Sequence, residues 1–245
     1  VYTAGGTGRD RGRKIALDSS GNIYVVGYYQ NTVDFGGGNV TSNGNFDAFI
    51  LKLNSSGTFQ WVKSYGGSAG NDLGRDVVVD SNDNVIMLGT FRGTVNFDSG
   101  DGGGVVNYTS NDYDVFLIEL NSSGIWQCVW NTEDSGSADA RALAIDSNNV
   151  TYLTGTFSGT VKFGNNTVTA ANSNDLFIHK INLCDAQTQI TYTSNIDTTQ
   201  KAKGISVDSS GNIYATGTFQ NTVNFGGGNI TSSGKDIYLL KLDSN

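Results

Sequence analysis

Runs of apolar residues, mostly β-branched or aromatic and broken by short polar turns, recur four times along the chain. Each recurrence holds an aspartate-led turn between two such runs and ends on a glycine, at Gly27, Gly89, Gly155 and Gly217. These glycines lie 62, 66 and 62 residues apart. Runs of this composition and length are typical of β-strands. A period this long, made of strand-like pieces, predicts a radial or stacked array of β repeats.

The first repeat predicts four main strands joined by tight turns. Its first two strands flank the turn Ser19-Ser20-Gly21-Asn22, whose residues suit a positive φ. A longer polar segment follows, with a glycine run at its centre, and it predicts a small hairpin. The predicted strands are residues 15–18, 22–29, 47–53 and 59–65, and the hairpin pairs 32–35 with 39–41.

Four antiparallel strands per repeat describe the blade of a β-propeller. We therefore predict an all-β protein with a single propeller domain over residues 1–245, built of four repeats of four-stranded antiparallel blades. The N-terminal strand is expected to close the ring, because VYTAGGTG matches the end of a fourth strand and its crossing, VKSYGGSAG. A fragment of a larger propeller is the alternative. The predicted blades are residues 5–65, 66–131, 132–194 and 195–245 together with 1–4.

The repeat motifs resemble the SBBP family of β-propeller repeats. The matching pieces are DSSGNIYVVG at residues 18–27, DAFILKLNSSG at 47–57 and Trp61. The second piece recurs as DVFLIELNSSG, DLFIHKINL and DIYLLKLDSN. DSSGNIY is also similar to the corresponding hairpin of NHL-type propellers. The resemblance implies a propeller fold in a secreted or surface-attached protein, and it implies almost nothing about activity.

The composition and net charge of the chain narrow the classes of partner that we expect. The net charge is −8 and the sequence pI is about 4.5, which disfavours nucleic acid and anionic membranes as partners. No apolar run is long enough for membrane insertion. Only 16% of residues are charged, and such neutral polar surfaces are common on extracellular proteins. The two cysteines, Cys128 and Cys184, allow either one disulfide or two buried thiols.

A basic residue lies five positions before each turn aspartate, and an acidic residue opens each third strand. Both kinds of strand are entered from the side of the long loops, so we expect structural ion pairs near that face. Four equivalent pairs favour a scaffold role over catalysis, since glycosidase carboxylates need unlike environments. The residues are Arg13, Arg75, Arg141 and Lys203 with Asp47, Asp114, Asp175 and Asp236.

No catalytic, cofactor or metal residue is assigned. The aspartate-led turns offer oxygen atoms that could hold calcium, but a capped hairpin turn explains them without a cation. The chain has one histidine and no nucleophile-elbow motif, so we expect it not to be an enzyme.

Two further sets of residues are candidates for surface chemistry. Sequons at Asn39, Asn165 and Asn229 lie in predicted loops and are the best candidates for glycosylation. Phe46, Tyr108 and Tyr113 are loop aromatics that do not recur in every repeat, so we predict that they stack on a ligand or sugar.

The sequence therefore predicts an extracellular or cell-surface module with a structural, adhesive or protein-interaction role. A lectin-like carbohydrate-binding propeller is the alternative. The expected partners are a protein or a surface polysaccharide, and assembly into a larger polymer or longer chain would fit the repeats. Contacts are expected on the long loops, residues 36–46, 99–113, 164–174 and 226–235, because binding surfaces favour loops on a rigid scaffold.

Overall fold

The computed structural model describes residues 1–98, 106–133, 135–171, 174–185, 189–194 and 200–243. All twenty regular elements in these ranges are β-strands, paired antiparallel. The chain divides into two compact units, unit 1 at Val1–Trp130 and unit 2 at Asn131–Asn245. The division coincides with the predicted boundary between the second and third blades, so each unit holds two repeats. The single domain predicted over residues 1–245 stays a prediction.

Unit 1 contains two four-stranded sheets, in the strand orders β2-β3-β6-β7 and β8-β9-β10-β11. Each of these two sheets has the four strands that the sequence predicted for a blade. The strands are β1 (Gly5–Gly6), β2 (Arg11–Leu17), β3 (Ile23–Tyr29), β4 (Thr32–Asp34), β5 (Asn39–Thr41), β6 (Asp47–Leu53), β7 (Phe59–Tyr65), β8 (Leu73–Val79), β9 (Val85–Asn96), β10 (Asn107–Leu120) and β11 (Trp126–Asn131, which ends one residue past the unit boundary).

Unit 2 contains a four-stranded sheet in the order β12-β13-β16-β17 and a three-stranded sheet in the order β18-β19-β20. The strands are β12 (Ser137–Ile145), β13 (Thr151–Ser158), β14 (Thr160–Phe163), β15 (Asn166–Thr169), β16 (Asp175–Ile181), β17 (Gln189–Thr193), β18 (Lys201–Val207), β19 (Ile213–Asn224) and β20 (Asn229–Leu242).

No helix in the described part of the chain is long and apolar enough to cross a membrane.

The long connection of each repeat is a hairpin, as the sequence predicted for the first repeat. β4 pairs with β5 and β14 with β15, whereas β9–β10 and β19–β20 continue as longer hairpins. Each hairpin carries one cross-strand threonine pair whose hydroxyl oxygens lie 2.8–2.9 Å apart. Such pairs stabilise a solvated hairpin. The pairs are Thr32–Thr41, Thr94–Thr109, Thr160–Thr169 and Thr222–Thr231.

Neighbouring repeats within a unit pack sheet against sheet. In unit 1, Ala48 and Ile50 of β6 share one apolar core with Val77 of β8. In unit 2, Ile178 of β16 shares a core with Ile205 of β18. The burial of apolar faces between repeats therefore stabilises each unit.

The predicted ring closure is not present among the described strands. β1 pairs with β4 inside the first repeat, and residues 1–4 form no strand. β20 pairs with β19 alone within residues 200–243. The four-bladed closed ring therefore stays a prediction, while the antiparallel repeats of three and four strands are established.

Candidate functional site

The basic residue of each repeat occupies a β-bulge in the first strand. The register shifts between Gly12 and Lys14, and likewise in the other repeats around Arg75, Arg141 and Lys203. A bulge turns the extra residue out of the ladder and re-aims its side chain. The Arg13 guanidinium lies 5.6 Å from the centre of the Tyr28 ring, and Arg141 is hydrogen-bonded to Asp139. The basic residues that recur in the sequence are thus the residues that a β-bulge displaces from the regular strand pairing in every repeat.

The aspartates that open the third strands hold the loops before them. Asp47, Asp114 and Asp175 are buried, whereas Asp236 is exposed. The Asn43 N–H donates to Asp47 at 3.0 Å, and the Ala171 N–H donates to Asp175 at 2.9 Å. Burial raises the pKa of the Asp47 carboxyl, although two backbone N–H groups oppose that shift. The predicted pairing of these acids with the bulged cations stays a prediction.

Two of the three predicted ligand aromatics occupy equivalent positions on the loop side of unit 1. Phe46 packs edge-on against Tyr28, with ring centres 5.1 Å apart. Tyr113 lies beneath Arg92, whose guanidinium is 5.9 Å from the ring centre. Both rings are partly exposed. Tyr108 differs, because its ring packs against Phe97 at the edge of the core. Its position on β10 explains the difference, because Tyr108 alternates with the exposed Asn107 and Thr109 and its side chain lies on the opposite face of the strand.

A chain of side-chain amides runs from Gln30 in the first repeat to Tyr113 in the second. Gln30 Nε2 donates to Asn45 Oδ1 at 2.6 Å, and Asn45 Nδ2 donates to Asn71 Oδ1 at 2.6 Å. Asn71 Nδ2 lies 3.5 Å from the Tyr113 hydroxyl. The Phe46 carbonyl accepts the N–H of Asp72, which ties the two repeats together beneath the amides. The chain is therefore continuous from the first repeat to the second.

We call these residues the amide–aromatic patch of unit 1. The patch offers flat rings, two guanidinium groups and several amide donors and acceptors. Such a surface can bind a ligand by stacking and by hydrogen bonds. Its members are Arg13, Tyr28, Gln30, Asn45, Phe46, Asn71, Arg92 and Tyr113.

Asp72 supports the patch from below and was missed by the sequence reasoning. It is fully buried and accepts the N–H groups of Gly67 at 2.9 Å and Arg92 at 3.0 Å. Burial raises its pKa to about 7, even though these hydrogen bonds act in the opposite direction. Asp10 makes the same two kinds of contact in the first repeat, to Gly6 and Gln30. Their shared position, eight residues before the turn aspartate, was the available signal.

The aspartate-led turns have the geometry that the structural interpretation requires. In every repeat one carboxyl oxygen accepts the backbone N–H groups two and four residues later, at 2.7–3.0 Å. The third residue after each aspartate has a positive φ of 62–81°. Burial opposes ionisation of Asp18, but hydrogen bonds from Asn22 and Ser20 and the nearby Lys52 lower its pKa overall. The aspartates are Asp18, Asp80, Asp146 and Asp208.

A tyrosine and a lysine complete this turn in three repeats. Tyr152 donates its hydroxyl to Asp146 at 3.0 Å, and the ammonium of Lys180, its cross-strand partner, lies 5.7 Å from the ring centre. The first and fourth repeats contain the same arrangement. The second repeat replaces the lysine with Glu119, whose pKa rises to about 7 through burial and the proximity of Asp80. These tyrosine and lysine positions recur in the sequence, but the sequence analysis assigned them no role.

The only histidine is structural. His179 is fully buried, its Nδ1 lies 3.0 Å from Thr191 Oγ1, and burial lowers its pKa to about 3. It is therefore neutral at physiological pH.

Neither cysteine is a free thiol, because Cys128 and Cys184 are both disulfide-bonded. Of the two alternatives that the sequence left open, the structure has the disulfide and not the buried thiols.

The sequon residues Asn39, Asn165 and Asn229 are all exposed on hairpins, and their glycosylation stays a prediction.

The repeated antiparallel sheets agree with a match to one family of β-propeller repeats. The family model for the SBBP β-propeller repeat matches residues 2–28. This match confirms the resemblance predicted from the sequence. The chain is also 27% identical over 233 residues to the WD repeat-containing protein L264 of Acanthamoeba polyphaga mimivirus. That alignment covers 82% of this chain and 17% of the relative's length.

Two solved structures are similar to this chain. A catalytically inactive virginiamycin B lyase from Staphylococcus aureus matches 96% of this chain and 85% of its own, with 11% identity and a TM-score of 0.29. A streptogramin B lyase matches 83% and 89%, with 10% identity and a TM-score of 0.26. Both are lyases, so the prediction that this protein is not an enzyme is contradicted and is withdrawn. TM-scores this low assign no activity to the chain.

Proposed function

We propose that this protein is an extracellular interaction module that binds another protein through the amide–aromatic patch. The observation that carries the proposal is the continuous chain of contacts from Gln30 through Asn45 and Asn71 to Tyr113. The chain ends at the Tyr113 ring, beside which the Arg92 guanidinium lies. At the side of the first repeat, the Phe46 ring and the Arg13 guanidinium both lie against Tyr28. Tyrosine, other aromatics and arginine are enriched where protein interfaces gain most of their binding energy.

The scaffold and the relatives support this role. Propeller repeats present loops on a rigid framework, and the similar mimiviral protein is itself described by its WD repeats. The disulfide-bonded cysteines support a location outside the cell, where thiols are oxidised. An adhesive or structural role in a larger assembly would use the same surface. Closure of the four repeats into a ring would add rigidity, but the patch does not depend on it because it lies within unit 1.

Carbohydrate binding is the second candidate, and the patch favours it through one feature. Side-chain amides beside a partly exposed ring can pair with sugar hydroxyls while the ring stacks on the sugar's apolar face. Asn45, Asn71 and Phe46 form that combination. A surface polysaccharide would then be the ligand.

The test uses two probes, a displayed library of random peptides and a glycan array. The variant Phe46→Ala/Tyr113→Ala removes the two partly exposed rings of the patch and leaves the buried Tyr28 in place. The matched control is Asn174→Ala/Lys235→Ala, which changes the equivalent exposed positions of the third and fourth repeats. We expect the wild-type chain to select peptides, and the patch variant to bind them at least about tenfold more weakly.

The outcomes separate the candidates. Glycans bound by the wild type and lost in the patch variant would support the lectin-like role instead. Ligands that bind both variants as well as the wild type would exclude the patch as the binding surface.

A further inference from the structure

The amide–aromatic patch presents hydrogen-bond donors at the end that lies in the second repeat. The hydrogen bonds of the amide chain all run in one direction, because Gln30 donates to Asn45 and Asn45 donates to Asn71. The chain ends where Asn71 Nδ2 faces the Tyr113 hydroxyl oxygen at 3.5 Å. No described residue accepts the proton of that hydroxyl, so the O–H group can donate to a bound molecule.

The second donor group at this end is Arg92, which three contacts hold beside Tyr113. Its backbone N–H donates to the buried Asp72 at 3.0 Å. Its side chain lies against Gly70, where an added Cβ would be 2.7 Å from Arg92 Cβ. Its guanidinium is 5.9 Å from the centre of the Tyr113 ring.

The guanidinium of Arg92 is available to an anion. Arg92 is exposed and forms no ion pair with any residue that the structure describes. Contact with the Tyr113 ring leaves the planar fork of N–H donors for a carboxylate, which can accept two parallel hydrogen bonds from it. Because the contacts with Asp72, Gly70 and Tyr113 already fix the side chain, little conformational freedom is lost on binding.

The charges on this side of unit 1 favour an anionic partner, although the whole chain has a net charge of −8. Five of the six arginines of the chain lie in unit 1, in the halves of β2, β8 and β9 nearest the long loops or just before β2. The acids Asp47 and Asp72 are buried. Asp112 is exposed, and its carboxyl accepts the N–H of Tyr113 at 3.0 Å. A local excess of positive charge attracts acidic segments whatever the total charge. The five arginines are Arg9, Arg11, Arg13, Arg75 and Arg92.

The end of the patch in the first repeat is apolar. The partly exposed Phe46 ring packs edge-on against Tyr28, with ring centres 5.1 Å apart. Between the two ends lie the side-chain amides of Asn45 and Asn71, which can pair with peptide groups. A peptide supplies a carboxylate, an apolar side chain and backbone amides within one short segment. A uronic-acid oligosaccharide supplies the carboxylate without the apolar side chain, so the surface favours the peptide.

We propose that the amide–aromatic patch recognises an acidic peptide segment. A glutamate or aspartate carboxylate of the segment accepts hydrogen bonds from the Arg92 guanidinium and the Tyr113 hydroxyl, and a neighbouring apolar side chain packs on Phe46. The inference rests on the proposed function, because it names the chemistry of the protein partner assigned there. Binding should weaken as salt is added, since the arginine is exposed to solvent.

The test compares two synthetic peptides by fluorescence anisotropy. In one peptide glutamates alternate with phenylalanines, and in the other glutamines replace the glutamates. We expect the wild-type chain to bind the glutamate peptide at least about tenfold more tightly, because hydrogen bonds to a charged group are stronger than those to a neutral one. Raising the salt from about 0.05 M to about 0.5 M should remove most of that preference.

Four variants assign the preference to this end of the patch. Arg92→Gln removes the charge and should abolish the preference for the glutamate peptide, whereas Arg92→Lys keeps the charge and should retain part of it. Asp112→Asn removes the exposed carboxylate beside Tyr113 and should tighten binding of the glutamate peptide about two- to fivefold. Lys235→Gln loses the same charge at an exposed position of unit 2 and should bind like the wild type. Circular dichroism should be unchanged in all four.

Three results would overturn the inference. The first is equal affinity for the two peptides, or a preference that survives in Arg92→Gln. The second is an equal loss in Arg92→Gln and Lys235→Gln, because the net charge of the chain would then set the affinity. The third is binding of a uronic-acid oligosaccharide in place of either peptide, lost in Arg92→Gln, which would make the ligand an acidic polysaccharide.

The displayed library of random peptides tests the proposed function separately. Peptides that depend on Phe46 and Tyr113 but carry no excess of acidic residues would leave that function standing and would overturn this inference. Selected peptides rich in glutamate or aspartate would support both.

Discussion

The Asn45 side chain donates a 2.6 Å hydrogen bond to Asn71 Oδ1, which joins the third-strand loop of the first repeat to the entry of the second. Beneath it the Asp72 N–H donates to the Phe46 carbonyl at 2.8 Å. The patch is therefore held by contacts between two repeats, and its geometry depends on their packing.

Asp72 should make the stability of unit 1 depend on pH. Burial raises its pKa from 3.8 to about 7. The folded chain then binds a proton that the unfolded chain releases, so the free energy of unfolding falls as pH rises from about 4 to about 7. Glu119, whose pKa also rises to about 7, acts in the same direction. Asp18, whose pKa is lowered, contributes only below about pH 4. His179 acts in the opposite direction up to about pH 6.5, because burial lowers its pKa to about 3 and only the unfolded chain binds its proton. We expect the two raised carboxyl pKa values to outweigh it, with a net loss of roughly 1–4 kcal/mol.

Denaturant unfolding at about pH 4.5 and about pH 8 would measure this loss. Asp72→Asn should reduce the pH slope because the amide cannot ionise. Asp10→Asn, the matched change in the first repeat, removes a carboxylate that accepts the same two kinds of N–H group and is the control for that loss. An unchanged slope in Asp72→Asn would contradict the assignment.

The turn aspartates should stabilise the fold as hydrogen-bond acceptors. Asp146→Ala leaves the N–H groups of Asn148 and Val150 without their acceptor and should cost about 0.5–2 kcal/mol. Asp146→Asn keeps an oxygen at the same place and should recover most of that loss. Thermal melts with calcium and with a chelator should coincide. A chelator-dependent fall in the melting temperature would instead support the calcium alternative.

Asp114 should be more important for stability than its exposed counterpart. Asp114 is 3% exposed, so Asp114→Asn replaces a buried carboxylate and should lower stability by about 1–3 kcal/mol. Asp236 occupies the equivalent position in the last repeat and is exposed, so Asp236→Asn should change stability by less than about 0.5 kcal/mol. Equal effects in the two melts would refute the structural role predicted for the buried acids.

The cysteines should be unreactive until the protein is reduced. Both are disulfide-bonded, so a thiol reagent should label neither in the denatured, unreduced chain and both after reductant is added. Labelling of the unreduced chain would remove the support for an extracellular location.

Local patterns in the sequence were sufficient for the strands and turns of each repeat. The aspartate-led turns, the hairpin of the first repeat and the antiparallel strand order were all predicted. These features depend on residues close in sequence, where side-chain acceptors and glycine or asparagine at positive φ select one turn. The recurrence of the basic residues was also visible, although their position in a β-bulge was not.

Packing between repeats determined which side chains are buried and which of them meet in the patch. Tyr108 and Tyr113 are both loop aromatics in the sequence, yet the register of β10 turns Tyr108 onto Phe97 and leaves Tyr113 beneath Arg92. Asp72 resembles any loop aspartate in the sequence, and only the fold buries it against the N–H groups of Gly67 and Arg92. The amide chain through Asn45 and Asn71 joins residues 26 positions apart. Burial and side-chain direction follow from which faces meet in space, and a single strand's composition does not contain that information.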